Sequence, residues 1–161
     1  MTNRVRVTNG APVPADVERL LHALPGWFGI ESAVADYVEA AKTLPTYVAR
    51  DPSGHVVGAL LAKRHFPVSA EIYLMAVQPA WHRKGIGRAL VETAETQLFL
   101  DGVRLLQVKT LGPSRPNEEY ARTREFYTAM GFLPIEELTE LWPGNPCLVL
   151  VKALSGGALP A

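Results

Sequence analysis

Three groups of residues in this 161-residue chain have types and spacing suited to chemistry. The first is the run Val77-Gln78-Pro79-Ala80-Trp81-His82-Arg83-Lys84-Gly85-Ile86-Gly87-Arg88-Ala89-Leu90. An apolar strand enters a glycine-containing loop, and the loop enters a helix. A helix start offers unpaired N–H groups at the positive end of its dipole, and together these bind phosphate. Gly85 and Gly87 omit side chains where backbone must approach an anion closely. Arg83, Lys84 and Arg88 surround them with positive charge. Alone, Gly-x-Gly describes a tight strand-to-helix turn equally well. Two nucleotide readings fail on inspection. A dinucleotide fingerprint needs a third glycine where Leu90 stands. A P-loop needs Gly-Lys-Ser/Thr, and Gly87-Arg88-Ala89 is not that.

The second group lies on a helix, Tyr120-Ala121-Arg122-Thr123-Arg124-Glu125-Phe126-Tyr127-Thr128-Ala129-Met130, closed by Gly131-Phe132. Phe126 and Met130 are four apart, as a core stripe requires. Tyr127 carries a phenol, which can give a proton to a departing thiolate, or can simply be a packed aromatic. The third group is Glu71 at the head of an apolar strand. A carboxylate there could take the proton of an ammonium substrate before its amine attacks. It could equally be a strand-end surface residue or an ion-pair partner. His65 and His22 are lesser candidates for the base. His55 follows Gly54 in a turn and reads as solvent-exposed.

These groups must be held by elements, and the pattern predicts them. Arg4 to Val7 alternates as a short strand. Val17, Leu20, Leu21 and Leu24 make one helical face, ended by Pro25-Gly26. Ile30, Val34, Tyr37, Val38 and Ala41 make a second, stopped by Pro45. Thr46 to Arg50 and Val56 to Lys63 flank the turn Asp51-Pro52-Ser53-Gly54. Glu71 to Val77 is apolar nearly throughout and reads as buried on both faces. A helix over Gly87 to Leu100 ends at Asp101-Gly102. A strand from Leu105 to Thr110, a loop from Leu111 to Pro116, and a helix from Glu118 to Met130 follow. Two last strands cover Phe132 to Leu138 and Cys147 to Lys152. The predicted fold is α/β (α+β), in the order β-α-α-β-β-β-α-β-α-β-β. A mixed, mainly antiparallel sheet of six to seven strands is flanked by about four helices. The helix between the central strand and the next implies one parallel pair. Residues 1–154 read as a single domain and 155–161 as a flexible tail.

His82-Arg83-Lys84-Gly85-Ile86-Gly87 resembles the Gln/Arg-x-x-Gly-x-Gly/Ala signature of GNAT acetyltransferases, with His82 at the first position. The helix ending in Tyr127, Gly131 and Phe132 resembles that family's Tyr-x-x-x-Gly-Phe. The element order resembles the family fold from about Val5 to Lys152. The resemblance implies an acetyl-CoA-dependent N-acetyltransferase working by direct attack in a ternary complex. It implies a cofactor site of Met75, Ala76, Val77, His82, Arg83, Lys84, Gly85, Ile86, Gly87, Arg88 and Ala89. A backbone N–H near Val77 would polarise the acetyl carbonyl. Tyr127 would protonate the sulfur, and Glu71 aligns with a glutamate that serves as base in the histone-acetylating branch. Tyr120 stands where the family often has an asparagine, with Asn117 three residues earlier. The rival reading is a non-catalytic acyl-CoA-binding module of the same fold.

The resemblance puts the acceptor near the first two helices and the late strands. There Trp27, Phe28, Tyr37 and Trp142 lie among Glu31, Asp36, Glu136 and Glu137. Aromatics with carboxylates would suit a cationic amine. Arg115, Arg122 and Arg124 would instead suit an acidic acceptor or the cofactor phosphates. The acceptor is a small-molecule or protein amine. Sixteen basic and sixteen acidic side chains cancel, and no basic block points to nucleic acid. No apolar stretch approaches the ~20 residues of a membrane span. One cysteine, Cys147, rules out an intramolecular disulfide and any Cys-based zinc site. No metal is expected. The expected location is the cytoplasm, and exposed edge strands make a homodimer the expected assembly, if any.

Overall fold

A computed structural model describes residues 5–155. Arg4 and residues 156–161 of the predicted tail lie outside the described residues. Seven strands form one sheet in the order β1-β2-β3-β4-β5-β7-β6. They are β1 (Arg6–Gly10), β2 (Thr46–Arg50), β3 (Val56–Phe66), β4 (Ser69–Val77), β5 (Leu105–Leu111), β6 (Leu133–Trp142) and β7 (Asn145–Ala153). The helices are α1 (Pro14–His22), α2 (Glu31–Ala40), α3 (Ile86–Leu100) and α4 (Glu118–Ala129). Every neighbouring pair is antiparallel except β4 and β5. α3 carries the chain from the end of β4 back to the start of β5, so the two strands must run the same way.

That parallel pair is short. Its register runs only from Ser69 opposite Leu105 to Ile72 opposite Val108. Beyond it the two strands part. On the other side of β4 the register with β3 slips, from Leu61 opposite Leu74 to Ala62 opposite Ile72. Tyr73 is the extra residue of this bulge. A one-residue slip exchanges the faces of everything after it. Ala70 and Ile72 pack on the α3 side. After the bulge, Leu74 and Ala76 pack under α1 and α2, while Met75 and Val77 take the α3 side.

Two apolar layers sandwich the sheet. Under α1 and α2 lie Val17, Leu20, Leu21, Val34, Val48 and Leu61. Under α3 and α4 lie Leu60, Leu90, Val91, Leu106, Phe132 and Leu150. Each fully buried leucine contributes about 1.5–3 kcal/mol. A Lys152–Glu95 ion pair at 2.9 Å fastens α3 to β7.

The prediction differs from the structure mainly at element ends. β1 lies at Arg6–Gly10 because Thr8, Asn9 and Gly10 pair with Val48, Tyr47 and Thr46, although they carry no apolar pattern. Ile30 caps α2 from outside and is 61% exposed, so it leaves the predicted apolar face. Leu111 belongs to β5 rather than to the loop, because it pairs with Cys147. β6 and β7 run to Trp142 and from Asn145, leaving only Pro143 and Gly144 between them. Ladder pairing extends these strands beyond their apolar stretch.

Gly58 lets α3 sit against β3. A Cβ there would lie 3.1 Å from Ile86 Cγ2 and 3.2 Å from Leu90 Cδ1. Gly58→Val should cost about 1–3 kcal/mol by overpacking, read as a lower midpoint in urea unfolding. An unchanged midpoint would show that this contact is slack.

Candidate active site

The parting of β4 and β5 opens a cleft of about 730 Å³. That is the size of an ordinary small-molecule site. Its walls come from the free half of β4, the start of α3, the end of β5, α4, and the segment after α1.

The β4 wall supplies backbone. The Gln78 N–H bonds to the Val57 carbonyl at 2.8 Å, on the β3 side. Strand alternation turns the Val77 N–H the other way, toward the side β5 has left. The His82 ring closes this end by donating from Nε2 to the Val77 carbonyl at 2.7 Å. Past a 3-10 turn at Pro79–Trp81, the chain bends through Arg83 at φ 61° and Gly85 at φ 79°. Both are left-handed, a conformation cheap for Gly85 and costly for Arg83.

α3 then begins at Ile86 with Gly85 as its cap. No side chain caps it and its first turn holds no acid. The amides of its first turn are therefore free, and a dipole end faces the cleft. Gly87 brings backbone close, since a Cβ there would meet Phe126 Cζ at 3.3 Å. Such an arrangement is suited to a phosphate or pyrophosphate. Met75, Ala76, Val77, His82, Arg83, Gly85, Ile86, Gly87 and Arg88 all line the cleft. Lys84 and Ala89 do not: the Lys84 ammonium sits 5.1 Å over the Trp81 ring.

α4 supplies the opposite wall. Its cap is Asn117, whose Oδ1 accepts from the Tyr120 N–H at 3.0 Å. Tyr120 donates its hydroxyl to the Trp27 carbonyl at 2.6 Å. The Trp27 indole N–H returns to Thr123 Oγ1 at 3.0 Å and to the Glu119 carbonyl at 3.2 Å. The same indole meets the His82 ring edge-on at 5.8 Å. Trp27 thus ties α4, the segment after α1 and the phosphate loop together. One turn on, Tyr127 is 4% exposed, between Phe126 and Phe132. It lines the cleft. Burial pushes its phenol well above the ordinary range. It stays protonated at any working pH, ready to donate a hydrogen bond.

Glu71 is buried and spoken for. Its Oε1 lies 2.8 Å from His65 Nε2, and 3.4 Å from both Lys109 Nζ and Gln107 Nε2. It is not on the cleft wall; Lys109 is. His22 pairs with the exposed Glu31 at 2.9 Å, which raises its pKa. His55 sits by Asp51 at 3.7 Å, away from this cleft.

The residues predicted for the acceptor side divide between the cleft and the outer surface. Trp27, Phe28, Tyr37 and Trp142 line the cleft, but Glu31, Asp36, Glu136 and Glu137 do not. Those acids lie on outward positions, and Glu137 accepts the Ser114 N–H at 3.0 Å. Of the three arginines only Arg122 lines the cleft. Arg115 bonds Asn145 and the Gly144 carbonyl, and Arg124 bonds the Leu111 carbonyl. Sequence reasoning missed Tyr73, Lys109 and Thr110. Thr110 had a signal: it continues the Leu106 and Val108 face of β5 with a hydroxyl. That hydroxyl is buried and has no partner among the described residues.

A family model described as an acetyltransferase (GNAT) domain matches residues 42–134, more than half of the chain. The chain belongs to the GNAT acetyltransferase family. It is an N-acetyltransferase, with acetyl-CoA as donor, and the family acts on amine acceptors. The fold is similar to that of a GNAT-family acetyltransferase from Desulfovibrio desulfuricans, at 19% identity and TM-score 0.82, covering 94% of this chain and 100% of that one. It is also similar to a GNAT-family acetyltransferase from Elizabethkingia anophelis with acetyl-CoA bound, at 18% identity and TM-score 0.70, covering 96% and 100%. A third similar structure is the ribosomal-protein-S18-alanine N-acetyltransferase from Escherichia coli, at 14% identity and TM-score 0.73, covering 98% and 99%. No curated protein matches. Among the described residues no helix is long and apolar enough to cross a membrane, and no metal-binding group of side chains is present.

Burial raises four phenols, Tyr37, Tyr47, Tyr120 (to about 12) and Tyr127. A raised folded pKa adds stability that is complete below the unfolded value near 10. That stability is lost as pH climbs through the folded values. Phenolate absorbance should therefore rise late, in step with unfolding between about pH 10 and 12. Early titration of these four tyrosines, with the fold intact, would contradict these burials.

Proposed function

We propose that the protein moves an acetyl group from acetyl-CoA to a primary amine by direct attack, with both substrates held in the one cleft. The observation that carries this is the uncapped, glycine-cradled start of α3 beside the parted strands. The free amides around Gly85 to Arg88 hold the pyrophosphate, and Arg83 and Arg88 add charge. The orphaned Thr110 hydroxyl suits a polar group of the acyl-bearing arm. The outward Val77 N–H stabilises the oxyanion as the amine attacks the thioester carbon. The carbon–nitrogen bond forms, the carbon–sulfur bond breaks, and Tyr127 donates toward the leaving sulfur. Proximity supplies much of the rate.

Glu71 serves here as a positioning residue rather than the direct base. It holds Lys109 at the cleft wall and pairs with His65. The ammonium proton leaves through water in the cleft. Residues 1–154 act as one domain, because both halves of the sheet share the apolar layer under α3. The single buried thiol, Cys147, suits a reducing, cytoplasmic setting.

Calorimetric titration with acetyl-CoA, CoA and NADH tests the cradle. Both CoA species should bind and NADH should not; failure of both CoA species removes the enzymatic reading. Tyr127→Phe should lower kcat about a hundredfold and leave CoA affinity intact. An unchanged kcat would remove Tyr127 from the chemistry, whereas CoA binding with no turnover of any amine would favour a non-catalytic acyl-CoA sensor.

A further inference from the structure

α4 shows two different faces to the cleft. Tyr120, Thr123 and Tyr127 follow i, i+3, i+7 and face the Trp27 segment, to which Tyr120 and Thr123 are bonded. Arg122, Glu125 and Phe126 follow i, i+3, i+4 and face α3, where Phe126 abuts Gly87. The cleft accordingly has a phosphate arm beside α3 and a second arm under Trp27. Glu125 also lines the cleft, and its spacing puts it on the α3-facing side of α4, away from Tyr120 and Tyr127.

The second arm is aromatic. Phe28 meets Tyr37 edge-to-face at 5.8 Å, and Tyr37 meets Tyr73 at 5.6 Å. Lys109 lines the cleft, held by Glu71 at 3.4 Å, and Lys63, off the wall, sits 5.5 Å over the Tyr73 ring. The Tyr73 ring thus already has a cation partner. The Glu71 carboxylate is turned to His65 and Lys109 and is off the wall.

Resting on the acetyl-transfer reading above, we propose that the acceptor is a monoamine carried on an aromatic or aliphatic body, and that polyamines and aminosugars are excluded. A second ammonium in this arm would lose hydration with no carboxylate to replace it. It would also face Lys109. A single amine on an apolar body buries that body against the rings. The neighbouring ammonium of Lys109 favours the uncharged amine, which is the form that attacks.

All three tryptophans, Trp27, Trp81 and Trp142, line the cleft, so their fluorescence reports its occupancy. Protein saturated with CoA is titrated with phenethylamine, hexylamine, spermidine and kanamycin. Phenethylamine should bind at least about tenfold more tightly than spermidine or kanamycin. Phe28→Ala should remove most of that preference and leave CoA affinity unchanged. Equal or tighter binding of the polyamines overturns the proposal. So does the absence of phenethylamine and hexylamine binding at millimolar concentration. If CoA itself does not bind, the donor reading fails separately, and the ranking of amines is read on the free protein.

Discussion

The site depends on a pairing that stops early. β4 and β5 share only four residues of ladder, Ser69 to Ile72 against Leu105 to Val108. A full parallel pair would fill the space with strand. Because the ladder ends, the backbone donors of β4 beyond Ile72 point into open space rather than to β5. An unpaired buried N–H is costly, and a ligand carbonyl can repay it. The bulge at Tyr73 works with the same break: it puts Met75 and Val77 on the α3 side and leaves Leu74 and Ala76 to hold the α1 and α2 layer. The break thus exposes polar backbone without giving up the core on either side.

The cleft is also braced. Trp27 is bonded from both its carbonyl and its indole to α4 and touches His82 of the phosphate loop. Three segments far apart in sequence meet at one side chain. Tyr120 is the member that makes this possible, with a phenol long enough to reach across to the Trp27 carbonyl. His82 has a parallel role, spending its ring nitrogen on the Val77 carbonyl. Both residues depart from the pattern of the family signature, and both serve to join cleft walls.

Much of this was legible from residue types. The strand-loop-helix with Gly85 and Gly87 marked the cradle, because no other residue so freely lets backbone meet an anion. The apolar run of β4 marked the central strand. Tyr127 was marked only through the resemblance; spacing alone permitted a core aromatic, and it is in fact both buried and cleft-lining. Illegible were the features set by pairing across long separations. The partners of Glu71 come from β3 and β5, so its ion-pair cage has no local signature. The same holds for Lys109. The acids near Trp27 in sequence pattern fell outside the cleft because helix and strand faces, unlike composition, decide which way a side chain points.

The strand order carries a consequence for biosynthesis. β7 is last in sequence, yet it lies between β5 and β6. β6 bonds to no other strand. A nascent chain can assemble β1 to β5 as it emerges, but β6 must wait unpaired until β7 has left the ribosome. The growing protein therefore carries an incomplete sheet, with β5 as a raw edge, until β7 has emerged. A chain cut short before Cys147 would lose two strands rather than one, and with them the apolar cover that Leu148 and Leu150 give the α3 layer. Closure of the sheet is thereby coupled to synthesis of its last strand, β7.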